Sequence, residues 1–389
     1  EINDHTENYS DEDEHDDIVD DFIKRLDDSL ADVDLDDDET QQFLTSHEQS
    51  ASPPSSSFCN YLKIAGKTIF IGALAVISFL AFLGSPVFLV NKRGAMLEFS
   101  GLSWQAANNL GDVTDDMNEA DTALYWHIPK AGGSSMKAYY SCMGLVEATS
   151  GSEQRGHNHD ESLKVWRNGA HNYINVDTTR KDGILRAKSL GLAESNLADL
   201  VTTMFPGAAV DIFTPEHKGR PFVLFRHPVD RAVSSFYYRQ IATWEKGKGV
   251  YDPSLANIEI DAWFEQQAKS NENGGYMVSL LLNKSRTDPL TNDDMILAKR
   301  ILREKFLVGL MTEMEESVDR FDTYFGWYEN EKRQECYEDF IRQGRNRNPH
   351  TKVEEGSDTW NVAVEANAFD VELYEYAVQL FEEQENFIF

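Results

Sequence analysis

Two short segments carry residues whose types and spacing could bind phosphate. The first is "ALYWHIPKAGGSSMKAYY" at 123–140. An apolar run ends at Ile128, Pro129 turns the chain, and Lys130 opens a loop that runs through Ala131, Gly132 and Gly133 to Ser134 and Ser135. Glycine lets backbone N–H groups approach an anion closely, and a helix start carries partial positive charge. The segment reads as a phosphate or phosphosulfate cradle with one fixed cation. It is not a Walker A loop, because G-x-x-x-x-G-K-[ST] puts its lysine after the glycines and here the lysine precedes them. A strand–Gly–Gly–helix turn is also a common structural device; the lysine and the paired serines favour binding. The second segment is "FVLFRHPVDRAVSSFYYRQ" at 222–240. Arg226 ends a strand, Pro228 suits the first turn of a helix, and Ser234 lies eight residues after Arg226. A planar guanidinium there can hold a second phosphate. The competing reading is a structural pair of Arg226 or Arg231 with Asp230.

Together these segments resemble the sulfotransferases, specifically the membrane-bound carbohydrate type related to heparan sulfate 2-O- and 6-O-sulfotransferases. The resemblance covers roughly 123–389 and continues in "KFLVGLMTEMEESVDRFDTYFGW" at 305–327 and in "LYEYAVQLFEEQ". It implies a P-loop-like α/β fold and a sulfuryl donor, PAPS (3′-phosphoadenosine 5′-phosphosulfate). Lys130, Ala131, Gly132, Gly133, Ser134 and Ser135 would hold the 5′-phosphosulfate, with Lys130 stabilising charge on the leaving phosphate. Arg226 and Ser234 would hold the 3′-phosphate. The implied acceptor is a hydroxyl of a glycan or polysaccharide, and no metal is required. A departure from the family is "GGYMVSLLL" at 274–282, where a polar or basic run is expected and Ser279 stands in place of an arginine.

Sulfuryl transfer also needs a base for the acceptor hydroxyl, with a pKa near working pH. His171, in "NGAHNY" between the two segments, is the expected base; His217, His159 and Asp177 are the alternatives. His127 reads as loop support and His227 as a brace for the phosphate site. The basic stretch "RQGRNRNPHTKV" at 342–353 offers Arg345, Arg347 and Lys352 to an anion, or is a solvated loop. Two other functions compete: a P-loop-like kinase using ATP, and a catalytically inactive glycan-binding scaffold of the same fold.

The elements that must position these residues alternate along the chain. Leu124–Ile128, Tyr173–Val176, Phe222–Phe225 and Phe306–Leu310 read as buried strands, and Ile184–Leu200 and Glu315–Phe325 as helices. Alternation of this kind predicts a mainly parallel sheet flanked by helices, here over 121–389.

The chain of 389 residues carries 36 Lys+Arg against 67 Asp+Glu, a net charge of −31. Residues 1–60 hold 20 of the acids and two bases, so −18 falls in that stretch and −13 in the remainder. Nucleic acid is excluded as a partner, because phosphate backbones need clustered positive charge. The acidic runs and "SASPPSSS" predict a disordered tail over 1–60. Within it, 18–30 has an apolar helical face that could meet a cytosolic partner. Residues 68–90 ("TIFIGALAVISFLAFLGSPVFLV") are uncharged and long enough to cross a bilayer, which predicts a transmembrane signal anchor. A stem over 91–120 would follow. The expected location is the Golgi membrane, single-pass type II, with a lumenal catalytic domain. Lys63 and Lys67 before the span balance Lys92 and Arg93 after it, so charge alone leaves the orientation open. Cys142 and Cys336 would share an oxidising lumen and could pair. Asn283-Lys-Ser is a glycosylation sequon.

Overall fold

The computed structural model describes residues 108–150, 160–168, 171–243, 246, 250–270, 274–344 and 349–388. Seven strands form one sheet: β1 (Thr122–Trp126), β2 (Val146–Ala148), β3 (Val165–Asn168), β4 (His171–Ile174), β5 (Leu200–Thr203), β6 (Gly219–Phe225) and β7 (Leu307–Leu310). Their order is β3-β4-β2-β5-β1-β6-β7. Every neighbouring pair is parallel except β3 with β4. Helices cross between the strands: α1 (Gly133–Cys142), α2 (Lys181–Ser189), α3 (Pro228–Ile241), α4 (Ile260–Lys269), α5 (Tyr276–Leu281), α6 (Asn292–Lys305), α7 (Met314–Tyr324), α8 (Asp358–Ala366) and α9 (Ala368–Ile388).

Strand residues alternate between two covered faces, as the period of two requires. Ala123 and Tyr125 of β1 pack with Phe222 and Leu224 of β6 beneath α1 and α7. Trp126, Val223, Phe225 and Val308 face the other way, onto α5, α6 and α9. Burial on both faces explains why the central strands read as continuous apolar runs.

The expected membrane-spanning helix is corrected. Residues 68–90 lie outside the described residues, and among the described residues no helix is long and apolar enough to cross a membrane. The longest of them, α9, carries Glu372, Glu375, Glu382, Glu383 and Glu385 on its exposed side, so it is built to lay one face on the protein and the other in water. The signal anchor, the membrane partner, and the type II and Golgi expectations find no support among the described residues. The glycan partner, which came from the resemblance, and the glycoprotein expectation, which came from the Asn283 sequon, are likewise left unsupported. The tail and its segment 18–30 also lie outside the described residues.

Two boundaries shift. The expected stem already packs on the domain at its end: Leu110 and Val113 are buried, Gly111 N–H donates to the Gly219 carbonyl (3.0 Å), and Val113 N–H donates to the Glu304 carbonyl (2.8 Å). The helix expected over 184–200 stops early. α2 ends at Ser189, Gly191 (φ 69°) and Asn196 (φ 49°) break the chain with left-handed turns, and Leu200 already begins β5. Apolar spacing ran on through the break, while glycine and asparagine supplied the turn.

Candidate functional site

In a parallel sheet the loops that leave the strands gather at one edge, and that edge is where ligands bind. Here the loop after β1 holds Lys130 to Ser135, and the exit of β6 holds Arg226 and His227. The exit of β4 holds Asp177 and Thr178, and Thr178 Oγ1 donates to the carbonyls of Ala148 (2.7 Å) and Thr202 (2.8 Å).

The β1 loop has an unusual backbone. Lys130 takes φ 66° and Gly132 φ 81°, both left-handed. For a lysine this conformation costs roughly 1–2 kcal/mol, so the surrounding structure must hold it. Gly132 is the N-cap of α1 and no side chain caps the helix. A helix start of this kind carries partial positive charge and suits an anion. Gly133 has no room for a side chain, since a Cβ would stand 1.9 Å from His127 Nε2. His127 is therefore loop support, as its place at the end of β1 suggested. Ser134 is half-buried and Ser135 buried, both in the first turn of α1.

The two phosphate segments meet. Arg226 Nη1 donates to the Lys130 carbonyl at 3.0 Å, joining residues 96 apart in sequence. The Lys130 ammonium rests on the Tyr238 ring, 3.3 Å from its centroid. Tyr238 lies one turn beyond Ser234, which is buried on the same helix, α3. Burial lowers the Arg226 pKa below the ordinary arginine value, with Asp230 opposing and Arg231 adding to the shift. His227 caps α3: its Nδ1 accepts from Val229 N–H at 3.3 Å. Its ring stacks on Trp360 (4.7 Å between centroids) and meets the edge of Tyr374 (5.1 Å). Burial holds the His227 pKa below the ordinary histidine value, which matches an imidazole that accepts. Lys130, Gly132, Gly133, Ser134, Ser135, Arg226 and Ser234 are brought to one edge, and Ala131 is buried beneath the loop.

His171 is not among them. It is the first residue of β4, and the register Tyr173↔Glu147, Glu147↔Leu200, Leu200↔Ala123 puts it two residues below the level of Ala123. It therefore sits at the entry edge, about five residues or ~16 Å of strand from the end of β1. Its ring contacts Ser141 near the C-terminal end of α1. His217 precedes β6 in a turn with Thr214 and is also at the entry edge. His159 lies outside the described residues. Asp177 is at the loop edge and buried, its Oδ1 accepting from Thr179 N–H (3.0 Å) and Oγ1 (2.6 Å). The G-x-H context pointed to His171, but β3 pairs antiparallel with β4 through Asn168↔His171, and the start of β4 lies at the entry edge.

Arg345 and Arg347 lie outside the described residues; Lys352 is exposed. His350 beside it stacks on Tyr237 of α3, 5.2 Å between centroids. Sequence reasoning missed Tyr238 as the rest for Lys130, although its i+4 spacing from Ser234 was visible.

No protein-family model matches the chain, and a search of curated proteins finds no match.

Proposed function

We propose that this protein transfers a sulfuryl group from PAPS to an acceptor hydroxyl. The observation that carries this reading is the junction of Arg226 with the Lys130 carbonyl, which sets two cationic phosphate segments side by side at the loop edge. The residues present fit the donor: α1 starts at a left-handed Gly132 with no side-chain cap, and its partial positive charge lies beside Lys130 and Arg226.

When bound, PAPS supplies the sulfuryl group and a nucleotide phosphate as leaving group. Lys130 is the cation that stabilises charge on that phosphate; to do so its ammonium leaves the Tyr238 ring. Arg226 and Ser234 would hold the 3′-phosphate and so distinguish PAPS from ATP. The acceptor proton goes to a base at the loop edge. Of the candidates weighed from sequence, Asp177 is the described residue at that edge, and His171 is too far away to serve. Positioning and electrostatics supply most of the rate in transfers of this type.

The test is transfer of labelled sulfate from PAPS to hydroxyl-bearing acceptors, polysaccharides among them. Lys130→Ala is expected to lower turnover by about 10²–10³-fold, and His171→Ala to leave it within a few-fold. ATP bound more tightly than PAP, the desulfated donor product, would replace this reading with the kinase one.

A further inference from the structure

Beneath α1 the core holds polar atoms that the fold itself does not satisfy. Tyr125 of β1, Tyr140 of α1, Glu147 of β2 and Asp322 of α7 are each at most 3% exposed. Among the described residues, the Tyr125 and Tyr140 hydroxyls, Glu147 Oε1 and Asp322 Oδ1 have no hydrogen-bond partner. Asp322 commits its other oxygen, Oδ2, to Tyr139 and Arg333. A buried polar atom costs stability unless something satisfies it.

These groups lie together. The rings of Tyr125 and Tyr140 meet edge to face, 6.5 Å between centroids, in the cluster under α1. Glu147 is in register with Leu200, and Leu200 with Ala123. Both of those residues pack under α1, so Glu147 points to the same side of the sheet. Tyr140 is the common neighbour. Burial raises its pKa well above the ordinary tyrosine value, and Asp322, Tyr125, Tyr139 and Glu147 add to the shift. Groups that act on one another without a direct hydrogen bond are spaced for a bridging molecule.

The chemistry of the set selects that molecule. Two hydroxyls can donate or accept, and two carboxyl oxygens accept. An anion would face Glu147 and Asp322, and an apolar occupant would leave every group unsatisfied. A cation would compete with Lys137 of α1, which already acts on Glu147. Water, with two donors and two acceptors, fits. We propose that ordered water bound among Tyr125, Tyr140, Glu147 and Asp322 fastens α1 to the sheet and to α7. The site is independent of the sulfuryl-transfer reading.

A high-resolution crystal structure tests it directly. Water is expected within hydrogen-bond distance of the Tyr140 hydroxyl and of at least one of the other groups. A dry seam, or a direct bond from that hydroxyl to Asp322 or Glu147, overturns the proposal. Urea unfolding gives a second measurement. Tyr140→Phe should lower the folding equilibrium constant about fivefold or more. Combined with Tyr125→Phe, it should lose less than the product of the single losses, because the hydroxyls share the water. A Tyr140→Phe variant as stable as the unmodified protein, or more stable, shows a hydroxyl with no partner and overturns the site. Losses that multiply fully overturn the shared water.

Discussion

The two edges of the sheet are built on opposite rules. At the entry edge, charge is buried and matched. Arg220 of β6 donates to the Asp121 carboxylate (2.7 Å), to the carbonyls of Asp112 (2.7 Å) and Asp115 (3.0 Å), and to the Tyr324 hydroxyl (3.2 Å). Asp322 of α7 accepts from Tyr139 of α1 (2.5 Å) and from Arg333 Nε (2.7 Å), and Arg333 also pairs with Asp319. The Cys142–Cys336 disulfide joins the end of α1 to the short helix Arg333–Tyr337. At the loop edge the pattern inverts: left-handed backbone, glycines, an uncapped helix and a lysine resting on an aromatic ring. α1 runs from one edge to the other, so a clamp at its C-terminal end steadies the helix whose N-terminal end is proposed to bind the donor. On that proposal, stability and function are separated along a single helix.

Substitutions at the two edges should separate in the same way. Asp322→Ala leaves Arg333 and the Tyr139 hydroxyl short of a buried acceptor and should cost about 3–5 kcal/mol in urea unfolding, with PAP affinity nearly unchanged. Replacing both cysteines by serine opens a link between residues 194 apart and should cost roughly 2–5 kcal/mol, again with little change in donor binding. A large loss of PAP affinity in either variant would break the separation.

Gly133→Ala acts at the other end. The new methyl displaces His127, so PAP binding should weaken about tenfold or more, roughly 1.4 kcal/mol. The melting temperature should move less than in either clamp variant.

The smallest effect lies between the edges. Glu147, in the middle of β2, is buried beneath α1; burial pushes its carboxyl up to about 7, with Lys137 pulling the other way. The folded protein then holds a proton that the unfolded chain has already released, so stability falls as pH rises from the ordinary value of 4.5 towards 7. Asp322 and Asp370, each pushed to about 6 by burial, act below that value, and the decline above it isolates Glu147. Glu147→Gln should flatten the melting temperature between pH 6 and 7. An unchanged slope would remove Glu147 from the account.

The loop edge was largely legible in the sequence because its chemistry is local. Lys130, the glycines and the paired serines lie within six residues, and the strand before them is a continuous apolar run. The entry edge was not legible, since Tyr139 meets Asp322 and Arg333 only after six strands, β2 to β7, have been laid down between them. β2 and β5 were too short to show a period beside the helical spacing that precedes β5. His171 was misread for the same reason: spacing along the chain does not say which edge a strand residue occupies, and β3 pairs antiparallel with β4 before the parallel order resumes. The expected N-terminal limit at 121 passes over Leu110 and Val113, which are buried, because they are isolated apolar residues in a polar stretch.

The central claim is that the loop edge is built for a nucleotide bearing both a 5′- and a 3′-phosphate. Calorimetric titration of PAP and of ATP into the protein and into Arg226→Ala tests it most directly. The account predicts that PAP binds at least tenfold more tightly than ATP and that Arg226→Ala removes most of that preference. Equal affinity for the two nucleotides, or a preference that survives in Arg226→Ala, would contradict it.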